Sequence, residues 1–211
     1  WAAVVSCALA ACGGGGGSDS GEASPDITSD RTSVNVVRVN DTDTQIDSIN
    51  FTMHGGSGTY YAMATSDSNA VTLDINFSSD TSATVIVVPE LIPRGTRVNG
   101  TLTFHLCKDE ACSQEVWHQN LSFTSTNYAI DTSELTLSSS EGEVAAPVSR
   151  SISPQDTTGE LKFTAENSPY LSLDHSQAGL MTVTASGVGS QAGSYSSAVD
   201  IAVIKRSEEH T

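Results

Sequence analysis

Residues 71–77 read Val71-Thr72-Leu73-Asp74-Ile75-Asn76-Phe77, and every second side chain in this stretch is apolar. An alternation of period two predicts a β-strand that buries one face and exposes the other to water. The same alternation recurs along the chain after Ile27, and turn residues separate the segments at the spacing of about 8–12 positions that is typical of antiparallel sandwiches. No stretch has the apolar spacing of an amphipathic helix. The sequence therefore predicts an all-β protein.

The alternating segments form two series. The first series begins at Ile27 and ends at Phe123. Its apolar positions are Val34, Val36, Val37 and Val39; Ile46, Ile49, Phe51 and Met53; Tyr61 and Met63; Val71 to Phe77; Val85 and Val87, or Ile86 and Val88; Leu102, Phe104 and Leu106; and Val116, Leu121 and Phe123. The second series begins after Tyr128, and its apolar positions are Leu135 and Leu137; Val148 and Ile152; Leu161 and Phe163; Leu171 and Leu173; Met181 and Val183; and Val199, Ile201 and Val203.

The two series correspond to each other. Val71-Thr72-Leu73-Asp74 is matched by Leu171-Ser172-Leu173-Asp174, and the segment from Gly95 to Leu106 is matched by the segment from Gly193 to Val203. We therefore expect two tandem antiparallel β-sandwiches, residues 27–129 and 130–205. The second series ends where the first continues into Val116 to Phe123, so we expect the second sandwich to lack its final strand and to have an unpaired edge.

Composition limits the class of partner. The chain has 9 Lys and Arg residues against 25 Asp and Glu residues, which gives a formal net charge of -16. Such a charge repels phosphate backbones, so nucleic acid is not an expected partner. The apolar fraction of 37% and the aromatic fraction of 6% are low for a compact α/β enzyme and ordinary for thin sandwich modules with Ser and Thr on their outer faces.

The N-terminal segment carries a sorting motif. Leu9-Ala10-Ala11-Cys12 ends a short apolar run and is followed at once by Gly13 to Gly17. It resembles the lipobox of bacterial lipoprotein precursors. The resemblance implies that residues 1–11 are a signal peptide without its first residues, that cleavage precedes Cys12, and that Cys12 carries the acyl chains. Gly13 after the cysteine is similar to the pattern that is sorted to the outer membrane, so the expected location is the bacterial cell envelope.

Both ends of the chain contain segments that we leave out of the folded modules. Residues 12–26 are rich in Gly and Ser, and a flexible tether of ~14 residues spans ~20 Å, enough to hold a domain away from lipid headgroups. Residues 206–211, Arg206-Ser207-Glu208-Glu209-His210-Thr211, resemble the translation of a sequencing-adaptor oligonucleotide. We expect this tail to be an artefact and the gene to continue beyond Lys205.

Cys107 and Cys112 are the two cysteines of the predicted folded part, with four residues between them. In a hairpin with a four-residue loop they oppose each other at a Cα separation of ~4.5–5.5 Å, which suits a disulfide. An oxidising compartment outside the cytoplasm preserves such a bond. A zinc site needs further ligands that are not nearby, and a redox pair prefers the CxxC spacing, so we predict a disulfide that holds the hairpin register.

The string from Gly100 to Cys112 resembles a recurring ending of bacterial immunoglobulin-like modules, including BACON-like ones, which occur in tandem on the surfaces of Gram-negative bacteria. The resemblance implies immunoglobulin-like sandwiches that act as a spacer or contact glycans or proteins. Tyr60, Tyr61 and Trp117 are the aromatic residues that we consider for such contacts, although half-buried core positions explain them as well.

The sequence contains no recognised catalytic motif, P-loop or dinucleotide fingerprint. The acidic stretch from Asn40 to Asp47 lacks the glycine and glutamate of a calcium loop, and we interpret it as a solvated turn. We expect no cofactor, no metal site and no enzymatic activity. Two functions remain open: a lipid-anchored stalk or interaction module, and the N-terminal stalk of a longer surface hydrolase or propeller protein. The partners are then the membrane, through the lipid, and a glycan or surface protein.

Overall fold

The computed structural model describes residues 8–11, 25–56, 58–138, 140, 142–165, 170–185 and 197–204. All regular elements among them are β-strands, so the prediction of an all-β protein is confirmed. In chain order the strands are β1 (Ala8–Ala11), β2 (Asp26–Ser29), β3 (Ser33–Val39), β4 (Asp43–Gln45), β5 (Asp47–His54), β6 (Gly58–Ser66), β7 (Val71–Ser79), β8 (Ser82–Pro89), β9 (Thr96–Cys107), β10 (Glu115–Ile130), β11 (Val148–Ser153), β12 (Leu161–Ala165), β13 (Leu171–Asp174), β14 (Leu180–Ala185) and β15 (Val199–Val203).

The chain divides into two compact units. The first comprises Trp1–Ile92 and Arg97–Thr126, and the second comprises Pro93–Thr96 and Asn127–Thr211. Strand β10 therefore contributes its residues up to Thr126 to the first unit and its last residues to the second.

The first unit is an immunoglobulin-like sandwich. One sheet has the strand order β2-β5-β8-β7, and the other runs β1-β6-β9-β10, with β3 paired to both β10 and β4. These orders match the A-B-E-D and C-F-G sheets of the immunoglobulin fold. The opening stretch of sequence lies in β7, where Leu73 faces Val87 and Ile75 faces Val85 across the antiparallel pair with β8. Local alternation therefore gave the correct buried face here.

Aromatic side chains pack the two sheets of the first unit together. The ring of Phe51 on β5 stacks on the ring of Phe104 on β9, with centroids 4.0 Å apart, and Trp117 on β10 meets Phe104 edge-on at 6.1 Å. Gly100 on β9 is required beside this core, because a Cβ there would lie 2.4 Å from Phe123 Cε1. Around these rings the buried core includes Val34, Val36, Ile49, Ala62, Ala64, Val85, Val87, Leu102, Leu106 and Leu121.

The second unit repeats part of this arrangement. Strands β11, β14 and β13 form one antiparallel sheet, which β10 extends through the pairs Ala129↔Ser153 and Ile130↔Ile152. Strands β12 and β15 form a two-stranded sheet. The buried side chains of the unit include Tyr128, Ile130, Ile152, Leu161, Met181 and Val183. Glu208 and His210, whose presence in a strand would contradict the expected loss of the final strand, lie outside the described residues.

Several sequence expectations are wrong in detail. Ile46 lies between β4 and β5 and is 50% exposed, and Val116 on β10 is 38% exposed. In β6 the buried positions are Tyr60, Ala62 and Ala64, whereas Tyr61 and Met63 are half-buried. Leu135 and Leu137 lie in no strand, since β10 ends at Ile130 and β11 begins at Val148.

The segment before Cys12 also forms a strand. Ala8–Ala11 pairs antiparallel with the start of β6, and Ala11 lies opposite Gly58. This pairing does not test cleavage before Cys12, and the assignment of residues 1–11 as a signal peptide stays a prediction. Cys12 and the glycine run lie outside the described residues.

Candidate functional site

The hairpin that joins β9 to β10 contains the predicted disulfide. Cys107 and Cys112 are bonded, and their Cα atoms are 5.0 Å apart. Asp109 organises the loop: its carboxylate accepts hydrogen bonds from Ser113 N, at 3.0 Å, and from Gln114 N, at 2.8 Å. The hydrogen bond from Ser113 N, foremost among several, lowers the pKa of Asp109 below its ordinary value of 3.8. The loop is therefore closed both covalently and by its own carboxylate.

Beyond the loop, two imidazoles and a carboxylate meet at the surface. His105 Nδ1 donates to Glu115 Oε2 at 2.5 Å, and His118 Nδ1 donates to Glu115 Oε1 at 2.7 Å. The hydrogen bond from His105, followed by that from His118, lowers the pKa of Glu115 below 4.5. A carboxylate only accepts, so each Nδ1 carries a proton. His105 and His118 are 13 positions apart in the sequence, and only the pairing of β9 with β10 brings them together.

The three aromatic candidates have different surroundings. Tyr60 is 1% exposed and belongs to the core, with the Lys108 ammonium 5.3 Å from its ring centroid. A ring enclosed in this way has no free face for a sugar, so Tyr60 is removed from the proposed contact surface. Tyr61 is half-buried, and Trp117 is half-buried with its ring against Phe104. A contact role for Tyr61 and Trp117 stays a prediction.

The acidic stretch before β5 is only partly a solvated turn. Asn40 and Asp41 adopt positive φ values of 49° and 69°, as expected where the chain turns from β3 to β4. Asp47 instead is 6% exposed. It accepts hydrogen bonds from Arg31 Nη1 at 3.1 Å and from Ser48 N at 2.9 Å. The interpretation of the whole stretch as solvated is therefore wrong at Asp47, because Arg31 neutralises a carboxylate that the fold buries.

In the second unit, a buried carboxylate that the sequence analysis did not identify collects donors from several segments. Asp156 is 3% exposed. It accepts hydrogen bonds from Glu160 N at 2.8 Å, Leu161 N at 2.9 Å, His175 Nε2 at 3.2 Å and Tyr128 Oη at 3.3 Å. Burial is the largest influence and raises its pKa, but the hydrogen bonds together outweigh burial, so the pKa of Asp156 lies below 3.8.

The side chains around Asp156 are themselves held in place. His175 Nδ1 lies 2.9 Å from Leu180 O and Nε2 lies 3.2 Å from Asp156 Oδ2, so both ring nitrogens of His175 face oxygen acceptors. Tyr128 Oη carries a single proton and lies 2.8 Å from Glu160 Oε2 as well as 3.3 Å from Asp156 Oδ1, so the two carboxylates share this donor. We call Tyr128, Asp156, Glu160 and His175 the Asp156 network. No sequence signal identifies it, since its members are brought together by the fold and not by spacing.

Each of these clusters is held by hydrogen bonds between described residues of one unit. In the part of the chain that the structure describes, no group of three or more His, Cys, Asp or Glu residues is placed to hold a metal ion. No helix among the described residues has the length and apolar character needed to cross a bilayer. His54, the remaining described histidine, lies 3.3 Å from Thr28 Oγ1.

Comparison with known proteins yields structural similarity alone. No protein-family model matches the sequence, and no curated protein matches it. The chain is similar to a solved structure described as "I-band fragment I67-I69 from titin", with a TM-score of 0.37, 12% identity, and coverage of 85% of this chain and 65% of that one. It is also similar to "3Ig structure of titin domains I67-I69 E-to-A mutated variant", with a TM-score of 0.38, 13% identity, and coverage of 87% and 66%. The chain spans about two thirds of the length of both structures.

Proposed function

We propose that this protein is a lipid-anchored bacterial surface lipoprotein whose immunoglobulin-like modules act as a non-catalytic stalk or interaction region. The observation that carries the proposal is the order of segments: Leu9-Ala10-Ala11-Cys12, then a Gly- and Ser-rich tether, then the first sandwich strand at Asp26. A lipid at Cys12 would hold the modules at the membrane, and the tether would separate them from the headgroups.

The internal chemistry of the modules supports a mechanical role. The disulfide between Cys107 and Cys112 links two neighbouring strands and suits an oxidising compartment. The charged side chains of Asp47 and Asp156 are engaged by hydrogen bonds within their own units. A stalk needs modules that hold their shape, and such satisfied buried carboxylates favour one arrangement of strands.

The anchor is tested by acylation. We expect the full precursor, expressed in a Gram-negative host with an alkyne-bearing palmitate analogue, to incorporate the label and to fractionate with the outer membrane. Cys12→Ala should abolish labelling because it removes the acceptor thiol. Cys7→Ala is the matched control in the same segment and should label normally. Equal labelling of Cys12→Ala and the unaltered precursor would show that the lipobox assignment is wrong.

A contact role for the first module is a second candidate, favoured by the partly exposed rings of Tyr61 and Trp117. Aromatic faces of this kind stack on sugars or pack against protein surfaces. We would compare the unaltered chain with Tyr61→Ser and Trp117→Phe on a glycan array and in pull-downs with envelope protein. Tyr60→Phe, a change in the core, is the control. Binding that is the same in all four proteins would exclude these rings as the contact surface.

The alternative is that the modules are the stalk of a longer surface hydrolase or propeller protein. Determining the gene sequence past the codon for Lys205 separates the two proposals. Further sandwich modules would favour the stalk or interaction protein, and a catalytic motif or propeller repeats would favour the alternative.

A further inference from the structure

One edge of strand β6 is occupied by the segment that ends at the proposed cleavage site. Residues Ala8–Ala11 form β1, which pairs antiparallel with residues 58–61 of β6. The other edge of β6 pairs with β9. The pairing with β1 shows that this edge of β6 accepts an antiparallel strand. Cleavage before Cys12 removes all of β1 and therefore uncovers the edge.

The register of β6 against β9 determines which backbone groups face that edge. Asp67 N, just beyond the end of β6, donates to Thr101 O at 3.1 Å, and the pairing of β6 with β9 continues from there residue by residue. Residues that bond to a given antiparallel neighbour alternate along a strand. The odd-numbered residues of β6 therefore bond to β9, and Tyr60, Ala62 and Ala64 direct their N–H and C=O groups to the edge beside β1.

The sequence of β6 does nothing to prevent this edge from pairing with other strands. Its nine residues, Gly58–Ser66, include no charged residue and no proline, which are two of the features that natural proteins use to protect an exposed edge. Apart from β1, the strands at the ends of the described sheets each carry a charged side chain: Asp26 in β2, Asp43 in β4, Asp74 in β7, Lys162 in β12, Asp174 in β13 and Asp200 in β15. The edge of β6 therefore favours pairing with another strand.

We propose that the edge of β6, once cleavage before Cys12 has removed β1, pairs with the same edge of a second copy of this protein. Two identical strands related by a two-fold axis run antiparallel, so this edge is complementary to itself. The net charge of -16 on each copy opposes contact between copies, but β6 contributes none of that charge. A lipid anchor confines the copies to one membrane surface and raises their effective concentration. This inference rests on the proposed cleavage.

The first measurement compares two lengths of the chain. One is the full chain with Cys12→Ser, which keeps β1, and the other begins at residue 12 with the same change. The full chain also carries Cys7→Ser, so that neither protein has a free thiol outside the disulfide. We expect the shorter chain to shift from monomer to dimer in sedimentation over about a hundredfold range of protein concentration, and the full chain to remain a monomer. Neither protein carries lipid, so the result does not depend on acylation.

Amide hydrogen exchange locates the contact within the dimer. In the shorter chain, Tyr60, Ala62 and Ala64 should exchange at least about tenfold more slowly at the highest protein concentration than at the lowest, because the second copy covers the groups that face the edge. Met63 bonds to β9 in monomer and dimer alike. Its amide is the internal reference and should change much less.

Two substitutions in the shorter chain test the edge directly. Ala62→Pro removes an N–H that faces the edge and leaves the ladder to β9 intact, so we expect a monomer. Ala62→Gly keeps the N–H, is the matched control and should dimerise. Met63→Lys, at a half-buried position, places a like charge on each of the paired strands and should also give a monomer. Circular dichroism and urea unfolding show which variants are folded, and Met63→Lys decides the question where Ala62→Pro does not fold.

Three results would overturn the pairing of two β6 edges. The shorter chain could stay monomeric at every concentration. The edge amides could be protected in a monomer and lose that protection when residues 12–24 are deleted, which would make the tether the occupant. A dimer that survives in the folded variants would place the interface elsewhere. An intact N-terminus on the protein isolated from the envelope of its host would instead overturn the proposed cleavage, and with it dimerisation in the cell, even where the shorter chain dimerises.

Discussion

Asp156 illustrates how a single buried carboxylate can hold a small unit together. Its oxygens accept hydrogen bonds from backbone N–H groups of Glu160 and Leu161 and from the side chains of His175 and Tyr128. The backbone N–H groups of Glu160 and Leu161 are paired through Asp156, so removing the carboxylate leaves these buried donors unsatisfied at once. The unit therefore depends on this residue more than its sequence context suggests.

We predict that Asp156→Asn lowers the free energy of unfolding of the second unit by about 2–4 kcal/mol, because an amide has one acceptor oxygen in place of two and loses the charge. Urea denaturation followed by hydrogen exchange of β12 and β14 amides measures the loss. Asp174→Asn, at the exposed last residue of β13, is the matched control and should cost less than about 1 kcal/mol. Equal effects of the two changes would contradict the assigned role.

The stability of the second unit should also depend on pH through Asp156. Its pKa in the folded protein lies below 3.8, and in the unfolded chain it returns to about 3.9. The unfolded state therefore binds the proton more readily, so the contribution of Asp156 is present above about pH 4 and is lost as pH falls through the lower, folded value. The titratable side chains that face Asp156 are those of His175, Tyr128 and Glu160. Acid titration of unfolding should show a shallower decline in Asp156→Asn; an unchanged slope would exclude Asp156 as its source.

At the scale of the element, three separate interactions hold the two strands of the β9–β10 hairpin together. The disulfide links Cys107 to Cys112, Asp109 binds the loop backbone, and Glu115 joins His105 to His118. All three lie within a segment of about 14 residues, so the register of β9 against β10 is determined locally.

We predict that Cys107→Ala combined with Cys112→Ala lowers the free energy of unfolding of the first unit by only about 2 kcal/mol, because a short closed loop constrains the unfolded chain little. The measurement is urea denaturation of both proteins under non-reducing conditions. The unaltered chain with dithiothreitol is the control and should resemble the variant. Complete unfolding of the variant in buffer would mean that the disulfide carries the fold.

The stacked rings of Phe51 and Phe104 join the two sheets of the first unit, and their loss should cost more than loss of the disulfide. We predict that Phe104→Ala destabilises the first unit by about 3–5 kcal/mol, through lost transfer energy and the cavity left behind. Thr103→Ala, on the next position of β9 but half-buried, is the control and should cost about 1 kcal/mol or less. Thermal and urea unfolding give both values. A cost for Phe104→Ala as small as that of the control would contradict its place at the centre of the core.

At the scale of the whole molecule, the dominant property is the net charge of -16. Like charges repel within a compact protein, and salt screens that repulsion over a Debye length of about 10 Å at 0.1 M. The excess of carboxylates therefore favours solubility and opposes compactness.

We predict that the melting temperature rises by a few degrees when KCl is increased from about 0.01 M to about 0.3 M, because screening reduces repulsion more in the folded than in the expanded state. Differential scanning calorimetry measures the shift. Sucrose at the same osmolarity is the control for non-ionic effects. A melting temperature that falls with salt would show that attractive ion pairs, such as Arg31 with Asp47, outweigh the net repulsion.

How well the strands and their buried faces could be predicted from the sequence varies along the chain. From Val71 to Phe77 the apolar residues occupy only every second position, so the buried face of the strand follows from the sequence. Tyr60 and Tyr61 place a large aromatic ring on each face of the strand, so the local pattern could not decide which ring enters the core. At Leu135 and Leu137 the alternation is present, but β10 ends at Ile130 and neither leucine lies in a strand, an outcome that no local pattern reports.

The sequence by itself determined the all-β class, the strand at residues 71–77 and the disulfide of the β9–β10 hairpin, because alternation and cysteine spacing act between near neighbours in the chain. Only the tertiary structure decided that Tyr60 is enclosed, that Asp47 is neutralised by Arg31, and that Tyr128, Asp156, Glu160 and His175 meet in the second unit. Burial and long-range hydrogen bonds depend on which strands become neighbours in space, and that is set by packing two sheets together.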